Sequence, residues 1–118
     1  MGIFSRKPTL DWIQLTTSDQ LESALNATTN QPALFFKHST RCSISTMALS
    51  RFEANWNNEV ACDLYFLDLI TYRDLSNLLA EKTHVVHQSP QVIVVNNGQV
   101  VYNESHNGIR AQEIEAKL

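Results

Sequence analysis

Cysteine, basic clusters and long apolar runs are all scarce in this chain of 118 residues. With only two cysteines, Cys42 and Cys62, a disulfide-rich scaffold and a four-cysteine zinc site are excluded. Lys and Arg total 9 against 12 Asp and Glu, a net charge of −3, and no basic cluster exceeds Arg6-Lys7. That leaves no electrostatic footprint for nucleic acid and no polybasic patch for a membrane surface. The longest apolar runs, such as Val92–Val95, fall far short of the ~20 residues that span a bilayer. Only three Gly and three Pro are present, and no Pro/Gly-rich linker divides the chain. What is present is 43% hydrophobic residues, enough for one core in one domain over residues 1–118. The first eight residues turn polar before any secretory core develops, and Arg6 stands where a myristoylation motif after Gly2 wants Ser or Thr. A reducing cytoplasm is therefore the expected location, with no membrane or nucleic-acid partner.

The apolar residues fall into alternating strand and helix patterns. Trp12–Leu15 reads as a first strand. Thr17 with Gln20 three residues on gives an N-cap signature, and Leu21, Ala24 and Leu25 carry the helical spacing. Ala33–His38 reads as a buried strand. A second helix begins near Cys42, with Ile44, Ala48, Phe52 and Trp56 recurring every four residues. A third strand falls within Ala61–Ile70, and Thr71–Asp74 reads as the cap of a helix bearing Leu75, Leu78 and Leu79. Val92–Val95 and Val100–Tyr102 flank Asn97-Gly98, the strongest short hairpin signal, because both central positions need positive φ. A last helix is expected from about Asn107 to Leu118, with Ile109, Ile114 and Leu118 on its thin apolar face. The order is β-α-β-α-β-α-β-β-α. Strands joined through helices are expected to run parallel and the final hairpin antiparallel, giving an α/β fold with a five-stranded mixed sheet flanked by helices. Among architectures of this kind, the thioredoxin-like fold is the one whose active site matches two local features.

The first is Cys42, between a buried strand and a helix in His38-Ser-Thr-Arg-Cys-Ser-Ile-Ser45. If Thr40 or Arg41 is the last non-helical residue, the sulfur lies in the first turn, where unpaired N–H groups and the helix dipole favour an anion. Cysteines in such positions ionise below the free value of about 8.5, and the thiolate is the nucleophile. Thr40, Arg41, Ser43 and Ser45 surround it with polar groups, and Arg41 and Lys37 add positive charge nearby. Ser45 stands where a Cys-x-x-Cys motif carries its second thiol. Its hydroxyl can donate to the sulfur or satisfy first-turn backbone groups, but it cannot close a disulfide. Cys62 is expected at the start of the third strand, at the opposite end of the sheet, on the order of 17 Å away. Disulfide geometry needs Cα atoms within about 7 Å, so Cys62 reads as structural.

The second feature is Pro90 in Gln88-Ser-Pro-Gln91, just before a strand. A strand-initial proline is ordinary in itself. In a thioredoxin-type sheet, however, this bond is cis, packs beside the nucleophile and leaves Ser89 exposing backbone groups to an extended substrate. His84 and His87 are three apart without a further ligand pair, so no metal site is expected. His38 ends its strand one turn from Cys42 and is either a proton partner or a terminator.

Phe36-Lys-His-Ser-Thr-Arg-Cys-Ser-Ile-Ser45, together with His87-Gln-Ser-Pro-Gln91, resembles the YtxJ-like family of monothiol bacilliredoxins. The family pattern has Cys-Pro-Ile-Ser, and this chain has Ser43 in the proline's place. The resemblance implies no bound cofactor, with a low-molecular-weight thiol, bacillithiol, as co-substrate and S-thiolated proteins as partners. Cys42 would be the nucleophile, Thr40, Arg41 and Ser45 its thiolate-supporting neighbours, and Ser89 and Pro90 the substrate groove. A non-catalytic module that holds a protein segment between Cys42 and Pro90 is the alternative. Iron–sulfur binding and arsenate-reductase-like chemistry are weaker readings, the latter because only Arg41 adjoins the cysteine.

Overall fold

The computed structural model describes residues 10–118; Gly2 and the Arg6-Lys7 pair lie outside them. One five-stranded sheet runs through the molecule, from β1 (Ile13–Gln14) and β2 (Ala33–His38) to β3 (Asp63–Asp68), β4 (Gln91–Asn96) and β5 (Gln99–Ser105). Its spatial order is β1-β3-β2-β4-β5. The helices are α1 (Ser18–Asn26), α2 (Ser43–Asn55), α3 (Arg73–Thr83) and α4 (Ala111–Glu115), with short 3-10 turns at Ala27–Thr29 and His106–Gly108.

Strand β2 lies at the centre and every one of its residues is buried, as a strand covered on both faces requires. Period-2 alternation then divides its side chains between two cores. Leu34 and Phe36 join Leu64, Val92 and Val94 beneath α2 and α4, where Ala48, Phe52, Trp56 and Ile114 close the layer. Ala33 and Phe35 join Tyr65, Leu67, Ile93 and Val95 on the other face, under Leu21 and Ala24 of α1 and Leu75 and Leu79 of α3. Phe52 anchors the first core, with its ring 5.8 Å from that of Phe36 and 5.2 Å from that of Trp56.

The hairpin turns at Asn97 and Gly98, with φ of 53° and 77°, as the sequence signal required. The buried Thr28 holds it down. Its carbonyl accepts the Asn97 N–H at 2.8 Å and its hydroxyl the Gly98 N–H at 3.0 Å.

Four expectations need correction. β4, although joined to β3 through α3, pairs with β2 antiparallel, Lys37 opposite Gln91 and Ala33 opposite Val95. Parallel running follows from a helix only when the chain after it re-enters the sheet at the end where the preceding strand began. Here residues 84–90 carry the chain back, and β4 starts at the opposite end. The last helix is also far shorter than Asn107–Leu118. Tyr102 interrupts it, since its hydroxyl donates to the Gly108 carbonyl at 3.0 Å and accepts the Arg110 N–H at 3.3 Å. Those backbone groups are thereby withdrawn from helical pairing, and Ile109 and Arg110 stay extended. Thr71 does not cap α3: the N-cap is Tyr72, and the Thr71 hydroxyl binds Asp68 instead. In α2, Ile44 points to solvent while Ser45 takes the buried place one residue on.

Replacing the Phe52 ring leaves a cavity between α2 and the sheet. Phe52→Ala should lower unfolding free energy by about 3–5 kcal/mol, measurable as a reduced urea midpoint with an unchanged slope.

Candidate active site

The parallel register of β2 and β3 sets His38 beside Asp68, and the antiparallel register sets Lys37 beside Gln91. The C-terminal ends of β2 and β3 and the start of β4 therefore meet at one edge of the molecule. Beyond His38 the chain turns through Ser39, Thr40 and Arg41, closed by a 3.2 Å bond from the Cys42 N–H to the Ser39 carbonyl. Thr40 and Arg41 occupy the middle of that turn and are exposed. Cys42 is itself the last non-helical residue, which corrects the expectation that Thr40 or Arg41 would be. It is the N-cap of α2, with extended backbone (φ −115°, ψ 119°), and is half-buried.

That position has a chemical meaning. An N-cap side chain ordinarily carries an oxygen that accepts from the N2 or N3 amide. Cys42 makes no such capping bond, so a sulfur stands where the helix otherwise places an acceptor. Its carbonyl already begins the helix, accepting the Thr46 N–H at 3.1 Å. Negative charge that develops on Sγ meets the positive end of a 13-residue helix dipole.

Ser45 does not turn toward that sulfur. Its fully buried hydroxyl accepts the Ser39 N–H at 3.0 Å and lies 2.7 Å from His38 Nδ1. It therefore serves the backbone of the Cys42 turn and fastens the turn to the strand end. His38 is the residue that sequence reasoning left undecided. It is buried against Phe66, with ring centroids 5.5 Å apart, and its carbonyl accepts the Leu69 N–H at 3.1 Å. Asp68 organises the neighbouring loop by accepting the Ile70 and Thr71 amides.

The Ser89–Pro90 bond is cis. Pro90 is buried immediately before β4, and its carbonyl accepts the His106 N–H at 3.0 Å. Ser89 is half-exposed beside it. Both stand at the sheet edge that carries Cys42, because β4 begins opposite Lys37.

Cys62 lies at the other edge. It precedes β3, whose six residues pair in register with β2, so it is separated from the Cys42 turn by a strand length of roughly 17–20 Å. Burial, with the Asp63 carboxylate second, pushes its thiol up to about 12. At neutral pH it is a protonated, packed side chain beside the α2 core. Among the described residues no group of three or more His, Cys, Asp or Glu gathers where a metal ion could be held. His84 forms the left-handed C-cap of α3, whereas the His87 ring lies 3.5 Å from the Ser76 hydroxyl.

A thioredoxin-like sheet with one cysteine at a helix start, a serine three residues on and a cis-proline at the same edge defines a single-cysteine thiol–disulfide oxidoreductase. The comparisons place it more narrowly: a family model described as monothiol bacilliredoxin BrxC matches residues 13–114, and the chain belongs to that family. A solved structure of a proposed oxidoreductase with a thioredoxin fold is 34% identical, with TM-score 0.77, covering 89% of this chain and 91% of the other. The thioredoxin NaTrxh of Nicotiana alata shares 17% identity at TM-score 0.70, covering 97% and 95%. A thioredoxin of Trypanosoma brucei brucei shares 13% at 0.67, covering 98% and 94%. Both thioredoxins show likeness of fold. No helix among the described residues is long and apolar enough to cross a membrane.

Burial lowers the His38 pKa, against opposing pulls from the Asp68 and Glu53 carboxylates. As pH falls below the ordinary histidine value of about 6.5, the unfolded chain binds protons that the folded state resists, so stability present above that pH is lost with acid. His38→Gln keeps an acceptor for the Ser45 hydroxyl but cannot titrate. Urea titrations at pH 7 and pH 5 should show a smaller acid loss in this variant than in the unmodified protein. Ser45→Ala strands the Ser39 N–H and should cost about 1–3 kcal/mol at either pH.

Proposed function

We propose that the protein removes bacillithiol from mixed disulfides on other proteins, using Cys42 as nucleophile. The observation that carries this is the placement of Cys42: half-buried at the N-cap of α2, with no capping bond of its own. Family membership supports the class of thiol, and the chain offers no separate mark for it.

The Cys42 thiolate attacks the bacillithiol sulfur of the mixed disulfide. That S–S bond breaks, the target cysteine departs as thiolate and takes up a proton, and a Cys42–bacillithiol disulfide forms. A second low-molecular-weight thiol then attacks this disulfide, releasing Cys42 and forming the symmetrical disulfide. Each step exchanges one S–S bond for another, so the direction follows the redox poise of the surroundings. Thr40 and Arg41 flank the reacting sulfur on the solvent side, Ser45 supports it by holding its turn, and Ser89 with Pro90 forms the edge against which an extended target lies. No bound cofactor or metal enters these steps, and a reducing cytoplasm is the compartment that suits them. Cys62, protonated and a strand length away, leaves resolution to an external thiol.

Mass spectrometry after challenge with oxidised bacillithiol should show one adduct, on Cys42. Cys42→Ser should abolish turnover of a bacillithiol-modified protein, whereas Cys62→Ser should retain it within about twofold. An adduct-free Cys42 with slow alkylation would instead favour a module that binds a protein segment between Cys42 and Pro90 without exchange.

A further inference from the structure

Lys37 is fully buried in the central strand, on the face opposite α2. A lysine there is expensive, since burial disfavours its ammonium and pushes its pKa down to about 8. Its Nζ donates to the Gln91 Oε1 at 2.9 Å, an amide carbonyl rather than a carboxylate. An apolar side chain of the same length would fill this space without that cost. The partner is informative. Gln91 is itself buried, and its Oε1 also accepts the Gln88 N–H at 3.3 Å while its Nε2 donates to the Val86 carbonyl at 3.0 Å. One side-chain amide thus grips residues 86 and 88, and the lysine fixes that amide. The segment between the grip and the strand is Ser89–Pro90.

We infer that Lys37 and Gln91 are positioning residues that hold the Val86–Pro90 segment in the shape in which it receives the protein half of a mixed disulfide. This rests on the function proposed above and deepens it: the pair acts on target docking and leaves the sulfur's own reactivity alone. Lys37 lies on the face of the sheet away from Ser45 and α2, and its hydrogen bond leads to the proline segment, not to the Cys42 turn. His87 and Arg73 are charged or titratable neighbours on that side; burial, then Lys37 and Arg73, lower the His87 pKa.

The experiment compares the full chain with Lys37→Met, which keeps length and volume, and Gln91→Glu, which keeps the acceptor for Lys37 and Gln88 but cannot donate to Val86. Amide hydrogen exchange at Gln88 should accelerate at least tenfold in Lys37→Met. KM for a bacillithiol-modified protein should rise about tenfold in Lys37→Met and less in Gln91→Glu, by more than kcat falls in either. Alkylation of Cys42 by iodoacetamide, a reagent too small to need the segment, should stay within twofold. Unchanged KM in variants that still melt cooperatively would overturn the inference, as would alkylation slowing in step with turnover. If the unmodified protein does not turn over the modified substrate, the functional reading fails instead; Gln88 exchange then decides the grip alone, unchanged exchange overturning it.

Discussion

Antiparallel pairing of β4 against β2 decides where the proline goes, and nearly everything at the candidate site depends on it. Gln91 faces Lys37, so the residues just before β4 arrive at the edge where β2 gives way to the Cys42 turn. Had β4 run parallel, the same Ser89–Pro90 pair would sit at the far edge, near Pro32 and Cys62. Cys42 and that segment would then stand at opposite ends of the sheet. The pairing is held by apolar side chains on both faces, Val92 and Val94 in one core and Ile93 and Val95 in the other. Packing of β4 thereby fixes a chemical relationship between two loops that are 48 residues apart in sequence.

The helix that begins at Cys42 is constrained in a complementary way. Its inward face is set by Ala48, Phe52 and Trp56 at spacings of four. Extending that spacing backwards reaches Ile44, yet the buried position is Ser45. The reason is the end of β2, where the needed partner is polar: the Ser39 amide and the His38 ring must be bonded inside the protein. A buried hydroxyl meets both demands, whereas an isoleucine would strand them. Ile44 is released to solvent as a result.

These two regions also show what could be read in advance from residue patterns. Elements with strong periodicity were legible, β2 to the residue and the hairpin to its two positive-φ positions. Cys42 and Pro90 stood out because few residue types suit a helix start or a strand entrance, and the resemblance to monothiol bacilliredoxins joined them. Strand direction was not legible for β4. It depends on how residues 84–90 return the chain, and no local pattern encodes that path. The truncation of the last helix was hidden for a similar reason, since the Tyr102 hydroxyl that claims Gly108 and Arg110 comes from a different element. Nor does Lys37 stand out in sequence, where it reads as positive charge near Cys42; the strand register instead turns it to Gln91 on the other face of the sheet.

The two sulfurs show how burial and register sort residues of one type into different chemistry. Cys62 enters the α2 core at the beginning of a strand, where low polarity and the Asp63 carboxylate both disfavour its anion. Cys42 leaves a strand at its end and stands half-buried at the N-cap of a helix, with no capping bond of its own. The separation of a strand length removes any internal route between them. Ser45 could not have served as a second thiol's substitute in exchange, because a hydroxyl forms no disulfide and this one is already committed to Ser39 and His38. A disulfide made at Cys42 would therefore need a thiol from outside the chain to open it, and a half-buried sulfur is most readily reached by a small one. On these grounds a one-cysteine site and a low-molecular-weight thiol belong together.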